Sequence, residues 1–272
     1  MYLTHHLSDE GARWALDGDY LPVMFSLDLV LELPASDVEA LLRSFSVAEP
    51  AGDDPLLPPV ESLHEVWASG VTYLRSREAR MHESGEADVY DRVYDAERPE
   101  LFFKSAGWRV RGPGETVRVR RDSHWNVPEP ELVLVINSRS EIVGYTAGND
   151  VSSRDIEGEN SLYLPQAKIY DGGCALGPGI QVCGADAMRD LPIGMRILRD
   201  GEAVFDEGIS TSQMKRPFEE LASYLGMELA FPTGVFLMTG TGLVPPDDFD
   251  LGPGDRVEIS VGDLVLENEV AR

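Results

Sequence analysis

The chain has 272 residues, 43% of them hydrophobic, and carries 48 acidic against 23 basic side chains for a formal charge of −25. A surface this negative repels phosphate backbones and argues against nucleic-acid binding. No apolar run reaches the ~18 residues of a membrane span, and residues 1–19 lack a secretory leader's basic start and apolar stretch. A cytoplasmic protein without nucleic-acid or membrane partners is therefore expected. Cys174 and Cys183 are too few for a disulfide framework and read as reduced thiols. Only three of the basic residues are lysines, Lys104, Lys168 and Lys215. Abundant acid with scarce lysine fits a salt-adapted cytoplasm, where molar salt screens repulsion beyond about 3 Å.

Along the chain, residues 1–55 read as a small leading domain and 56–272 as the catalytic, metal-binding one. Residues 29–33 form a short apolar strand candidate. Residues 36–44 read as a helix, with Ser36 as its cap and Glu39 completing a capping box. The Pro-, Gly- and Asp-rich stretch 50–59 reads as a linker. Val60, Leu63, Val66, Trp67, Val71 and Leu74 then fall at helical spacing and predict a helix over 59–84, carrying His64 and His82 at solvated positions. From residue 101 the pattern turns to strands, at 101–103, 117–121, 132–136 and 142–146, separated by turns at 112–114 and 137–140. Strands at 195–198, 203–205, 257–261 and 264–267 follow, with a helix over 217–228 that has proline in its first turn. The sum is a β-rich α+β fold.

Chemistry concentrates at Pro128-Glu-Pro-Glu-Leu-Val-Leu-Val135. Glu129 and Glu131 are two apart beside an apolar strand, so both point to one face. Two such carboxylates repel unless a cation lies between them, and oxygen donors suit Mg²⁺, Mn²⁺ or Ca²⁺. Asp150, at the end of the next strand, is the candidate third ligand.

These residues, with Gly144-Tyr-Thr-Ala-Gly-Asn-Asp-Val-Ser-Ser-Arg-Asp155, Lys168-Ile-Tyr-Asp-Gly172 and Met238-Thr-Gly-Thr-Gly-Leu-Val-Pro245, resemble the signature of the fumarylacetoacetate hydrolase superfamily. The resemblance implies a mixed β-sandwich or β-roll core and a Mg²⁺ or Mn²⁺ ion held by Glu129, Glu131 and Asp150. It also implies assembly into a homodimer or homotetramer. Within the family, the stretches 94–104 and 154–168 are similar to 2-keto-3-deoxy-sugar-acid dehydratases. This implies conversion of a 2-keto-3-deoxy-pentonate to 2,5-dioxopentanoate.

The alternative is a hydrolase or decarboxylase of acylpyruvate-type or fumarylacetoacetate-like substrates. It is disfavoured because His82 and Glu83 are adjacent on a helix and do not share a face, and His124 carries no mark of a base.

For the dehydratase, Lys168 is the expected general base, its pKa depressed by burial and a nearby metal, or else a salt-bridge partner that holds Asp150 or Glu131 in place. Glu100 and Glu157 are the candidate acids. Arg154 is a candidate carboxylate anchor, or else the ion-pair partner of Asp155. Gly240 and Thr241 would receive the substrate carboxylate through backbone N–H groups and a hydroxyl. Lys104, after two Phe, reads as structural.

Overall fold

In the computed structural model the described residues are 1–45, 49–83 and 87–272, and the side chains of residues 82, 83, 87 and 88 fall outside them. The chain opens with three strands, β1 (Tyr2–Ser8), β2 (Gly11–Leu16) and β3 (Asp19–Tyr20), followed by two helices, α1 (Asp28–Leu31) and α2 (Ala35–Ser44). Next come β4 (Glu65–Gly70), the helices α3 (Leu74–Glu83) and α4 (Ala87–Asp95), and β5 (Glu100–Ala106). The centre holds β6 (Val117–Arg118), β7 (Asn126–Val127), β8 (Pro130–Ile136), β9 (Ile142–Asp150) and β10 (Ser152–Ser153), then α5 (Arg154–Glu159) and α6 (Leu164–Lys168). Last are β11 (Cys174–Val182), β12 (Pro192–Arg199), β13 (Glu202–Ser210), α7 (Phe218–Gly226), β14 (Val235–Met238), β15 (Arg256–Val261) and β16 (Leu264–Ala271).

A nine-stranded mixed sheet runs β3-β2-β1-β11-β9-β8-β14-β4-β5, and a five-stranded sheet runs β13-β12-β15-β16-β6. The unbroken apolar run of β8 is explained by its place: a strand covered on both faces has no solvent side to reserve for polar residues. Leu132, Leu134 and Ile136 pack with Ile193, Met195, Ile259 and Leu266 of the five-stranded sheet. The alternate residues Val133 and Val135 pack with Leu27, Leu31, Val38 and Leu42 from the leading segment. That segment is joined to the large sheet through its backbone as well, with Leu3 of β1 paired to Ile180 of β11.

The β-rich α+β character is observed, and the strands and the 217–228 helix lie where expected. Three local expectations are corrected. Residues 29–33 contain α1, not a strand, with Val30 and Leu31 buried. α2 is preceded by Pro34, and no side chain caps it. Ser36 instead donates to Asp37, and Glu39 pairs with Arg43 one turn on.

The largest correction is the helix over 59–84, which is a strand followed by a shorter helix. Val66 and Ala68 are fully buried at period two, while Leu63 is 88% exposed and Leu74 49% exposed. The helical spacing was therefore a coincidence of residues that never share a face, and pairing with β14 and β5 decided the outcome. His64 is buried, not solvated, and pairs with Asp28 at 3.0 Å. Residue 84, and the side chains of His82 and Glu83, lie outside the described residues.

Candidate active site

Antiparallel pairing of β8 with β9 brings the three acids together. Glu131 lies opposite Gly148, and the Asp150 N–H donates to the Glu129 carbonyl at 3.0 Å. Pro130 between the glutamates starts the strand, a place that tolerates its missing donor. Oxygens of Glu129, Glu131 and Asp150 lie within 4.8 Å of one another, and all three residues are buried. They line one cleft with Lys168, Glu100, Glu157 and Thr241.

Cations gather around two of the three acids. Glu129 accepts from Arg80 at 2.9 Å and Arg154 at 2.6 Å on one oxygen, and from Lys168 at 2.6 Å on the other. Asp150 pairs with Lys168 at 3.1 Å and with the buried Lys104. Lys104 also donates to the carbonyls of Val151 (3.1 Å) and Lys168 (2.6 Å), so one ammonium ties β5, β9 and α6 together. Glu131 is different. It accepts from a backbone group, the Gly240 N–H at 2.6 Å. Burial, then the charges of Asp150 and Glu129, push its carboxyl well above the usual range.

Gly240 can serve this way only as glycine. Its φ is +90°, and a Cβ there would stand 2.1 Å from the Thr72 hydroxyl. That hydroxyl holds the Thr239 carbonyl at 2.6 Å and so fixes the turn.

The other expected residues fall around the same cavity, with altered roles. Lys168 ends α6 and is held by Glu129, Asp150 and the Ser152 hydroxyl. The depression expected beside a bound metal concerns the loaded site; without the ion the balance runs the other way. Burial does oppose the charge, but Asp150 and Glu129 outweigh it and raise the pKa well above the normal lysine value. Glu100 is half-buried at the start of β5 and its carboxyl is pushed up to about 7, first by desolvation and then by the charge of Glu157. Gly70 makes room for it: a Cβ on that residue would lie 2.0 Å from a Glu100 oxygen.

Arg154 does not pair with Asp155, which instead holds Ser123 and the His124 N–H. It binds Glu129 and Glu157 (2.7 Å) and lies behind them. The Gly240 N–H, expected to receive a substrate carboxylate, donates here to Glu131. Thr241 does line the cavity.

Sequence reasoning missed Arg80, Tyr90 and Ser69, which also line it. Arg80 and Tyr90 arrive on α3 and α4, and nothing in the local pattern marks them. Lys104 did carry a signal, the scarcity of lysine, that should have drawn it into the site.

The donor set is all oxygen and buried. Among the described residues, Glu100, Glu129, Glu131, Asp150 and Glu157 face Arg80, Lys104, Arg154 and Lys168. Buried carboxylates of this kind fit a hard divalent ion such as Mg²⁺ or Mn²⁺.

Comparison with known proteins agrees with this geometry. Residues 65–271 match the family described as fumarylacetoacetate (FAA) hydrolase C-terminal. The chain is 49% identical over 214 residues to a probable 2-keto-3-deoxyxylonate dehydratase of Haloferax volcanii, covering 78% of this chain and 73% of that one. It is 42% identical over 276 residues to 2-dehydro-3-deoxy-D-arabinonate dehydratase of Saccharolobus solfataricus, covering 97% and 90%. Among solved structures, 2-keto-3-deoxy-D-arabinonate dehydratase complexed with magnesium and 2,5-dioxopentanoate superposes with a TM-score of 0.78 at 35% identity, covering 99% of this chain and 98% of that one.

Proposed function

The chain belongs to the fumarylacetoacetate hydrolase family, and on that premise we propose that it is a divalent-metal-dependent dehydratase that converts a 2-keto-3-deoxy-pentonate to 2,5-dioxopentanoate. The observation that carries this reading is the buried triad of Glu129, Glu131 and Asp150, with Lys168 and Glu100 beside it in one cavity. The named relatives support the substrate class.

Glu129, Glu131 and Asp150 would hold Mg²⁺ or Mn²⁺. When bound, the ion supplies Lewis-acid polarisation of the 2-keto group. The reaction is an elimination followed by a proton shift. Lys168 takes a proton from C3 and Glu100 gives one to the departing C4 hydroxyl, which leaves as water. The product at that stage is a conjugated 5-hydroxy-2-oxo-3-enoate. Glu100, now ionised, takes a proton from C5, and Lys168 returns its proton to C3. The resulting enol collapses to the 5-aldehyde. Both side chains are restored, and one water has been lost overall.

Lys168 can accept a proton only when Glu129 and Asp150 spend their charge elsewhere, because those two hold it protonated. Glu157 works through Glu100, its charge helping to keep that carboxyl protonated near neutrality. Arg154 braces Glu129 and Glu157, which makes it a positioning residue.

The test is product formation from 2-keto-3-deoxy-pentonate with Mg²⁺, followed through a coupled aldehyde dehydrogenase. Glu100 must begin protonated, and its folded pKa of about 7 lies above the ordinary carboxyl value. The rate is therefore expected to fall as pH rises through 7, the acid side of the profile being set by Lys168 and the metal-binding carboxylates. Glu100→Gln should lower the rate by roughly 10²–10⁴-fold and remove that limb. Cleavage of an acylpyruvate, with no dehydration, would transfer the assignment to the hydrolase alternative.

The same reading includes a salt-adapted, cytoplasmic homo-oligomer in which residues 1–55 form a small leading domain. The charge of −25 supports the first element. Exposed apolar side chains such as Leu63 and Trp108 support association. Size-exclusion chromatography in molar salt should give a dimer or tetramer, and a species near the 29.9 kDa of one chain would refute it.

A further inference from the structure

Resting on the reading of the cavity as a 2-oxo acid site, we propose that Ser69 is a substrate contact whose hydroxyl donates to the carboxylate of the bound acid. Ser69 is the next-to-last residue of β4 and is 2% exposed. It lines the cavity, yet its hydroxyl has no hydrogen-bond partner among the described residues. A buried hydroxyl left unpaired costs stability that alanine would not. Serine here is explained by a partner that arrives with the ligand.

Its position selects the carboxylate end. A Cβ at Gly240 would lie 3.0 Å from the Ser69 carbonyl, and the Gly240 N–H holds Glu131. The backbone of Ser69 thus runs beside Gly240, which holds the metal-binding glutamate, and both residues line the same cavity. The next residue, Gly70, faces Glu100, so the end of β4 spans the cavity from the carboxylate end to the acid. A 2-oxo acid that chelates through one carboxylate oxygen and the ketone leaves further carboxylate lone pairs to be satisfied. Gly240 cannot supply that donor. Thr241 is engaged within its own turn, donating to the Leu243 carbonyl and accepting from the Leu243 N–H, both at 3.2 Å. Ser69 has a proton to give.

Pyruvate carries only the carboxylate and ketone, so its binding reads this end without turnover. Calorimetric titration of pyruvate into the full-length, Mg²⁺-loaded protein is the test. Ser69→Ala should weaken pyruvate roughly tenfold or more, the size of a hydrogen bond to a charged group, while Mg²⁺ affinity without pyruvate stays within about twofold. The variant's Tm should not fall, because an unpaired buried hydroxyl has been removed. Unchanged pyruvate affinity with Mg²⁺ still bound would overturn the assignment. So would a lowered Tm with Mg²⁺ binding lost, which would make Ser69 a strut of the fold. A parent protein that binds Mg²⁺ but not pyruvate would overturn the 2-oxo acid reading itself, and the assignment with it.

Discussion

Replacing Glu131 with glutamine is expected to lower turnover by about 10³-fold or more, the loss of several kcal/mol of Lewis-acid stabilisation, while leaving the metal-free protein at least as stable as its parent. The two effects have opposite signs for one reason. Glu131 is buried with two other acids, and its partner is a backbone N–H rather than a cation. Its charge is a burden to the metal-free fold, and glutamine removes that charge while keeping an oxygen for the Gly240 N–H. Glu129 should behave differently. Arg80, Arg154 and Lys168 all converge on it, so Glu129→Gln strands buried cations and should cost about 3–5 kcal/mol of stability as well as activity. Thermal unfolding in EDTA, with Mg²⁺ titrations of both variants, separates the cases. If Glu131→Gln kept Mg²⁺ affinity and turnover, the triad would not be the metal site. If it unfolded below the parent in EDTA, the account of Glu131 as an uncompensated charge would fail.

Why the triad was legible and its surroundings were not has a physical basis. The spacing of Glu129 and Glu131, and the position of Asp150 on the next strand, need only strand alternation and one antiparallel pairing, both short-range. Arg80 and Ser69 lie in the 59–84 stretch, where helical spacing suggested one continuous helix. Tertiary pairing of Val66 and Ala68 with β14 and β5 overrode that pattern. With β4 misread, nothing could bring Ser69 next to Gly240, or α3 over the cavity. The strand β11 was missed for another reason. Its Gly177-Pro178-Gly179 centre interrupts any run of strand-forming residues, yet it pairs with β9 on either side of a register shift. For Lys168 the sequence shows a burial tendency but not the two carboxylates, Asp150 and Glu129, that face the ammonium and raise its pKa without a metal.

That ammonium frames the second large effect. Lys168→Met is expected to lower turnover by roughly 10²–10⁴-fold, the contribution of a positioned general base. The same loss would follow if Lys168 only steadied Glu129 and Asp150, so turnover alone cannot separate the roles. Lys168→Arg separates them. Arginine can pair with both carboxylates, but it does not give up its proton in proteins. A structural lysine would be rescued by arginine, whereas a base would not. Exchange of the C3 protons of pyruvate into D₂O, followed by NMR in the presence of Mg²⁺, reads the proton transfer without elimination. Lys168→Met and Lys168→Arg should both lose that exchange. Glu100→Gln should retain it while losing dehydration, because Glu100 acts on the leaving hydroxyl and not on C3 in the first stage. Exchange at the parent rate in Lys168→Arg would leave Lys168 as a brace for Glu129 and Asp150. The base would then have to be sought among the other groups that line the cavity, of which Glu100 is closest in character. Loss of exchange in Glu100→Gln as well as in both lysine variants would mean that one proton relay, not two separate groups, serves C3.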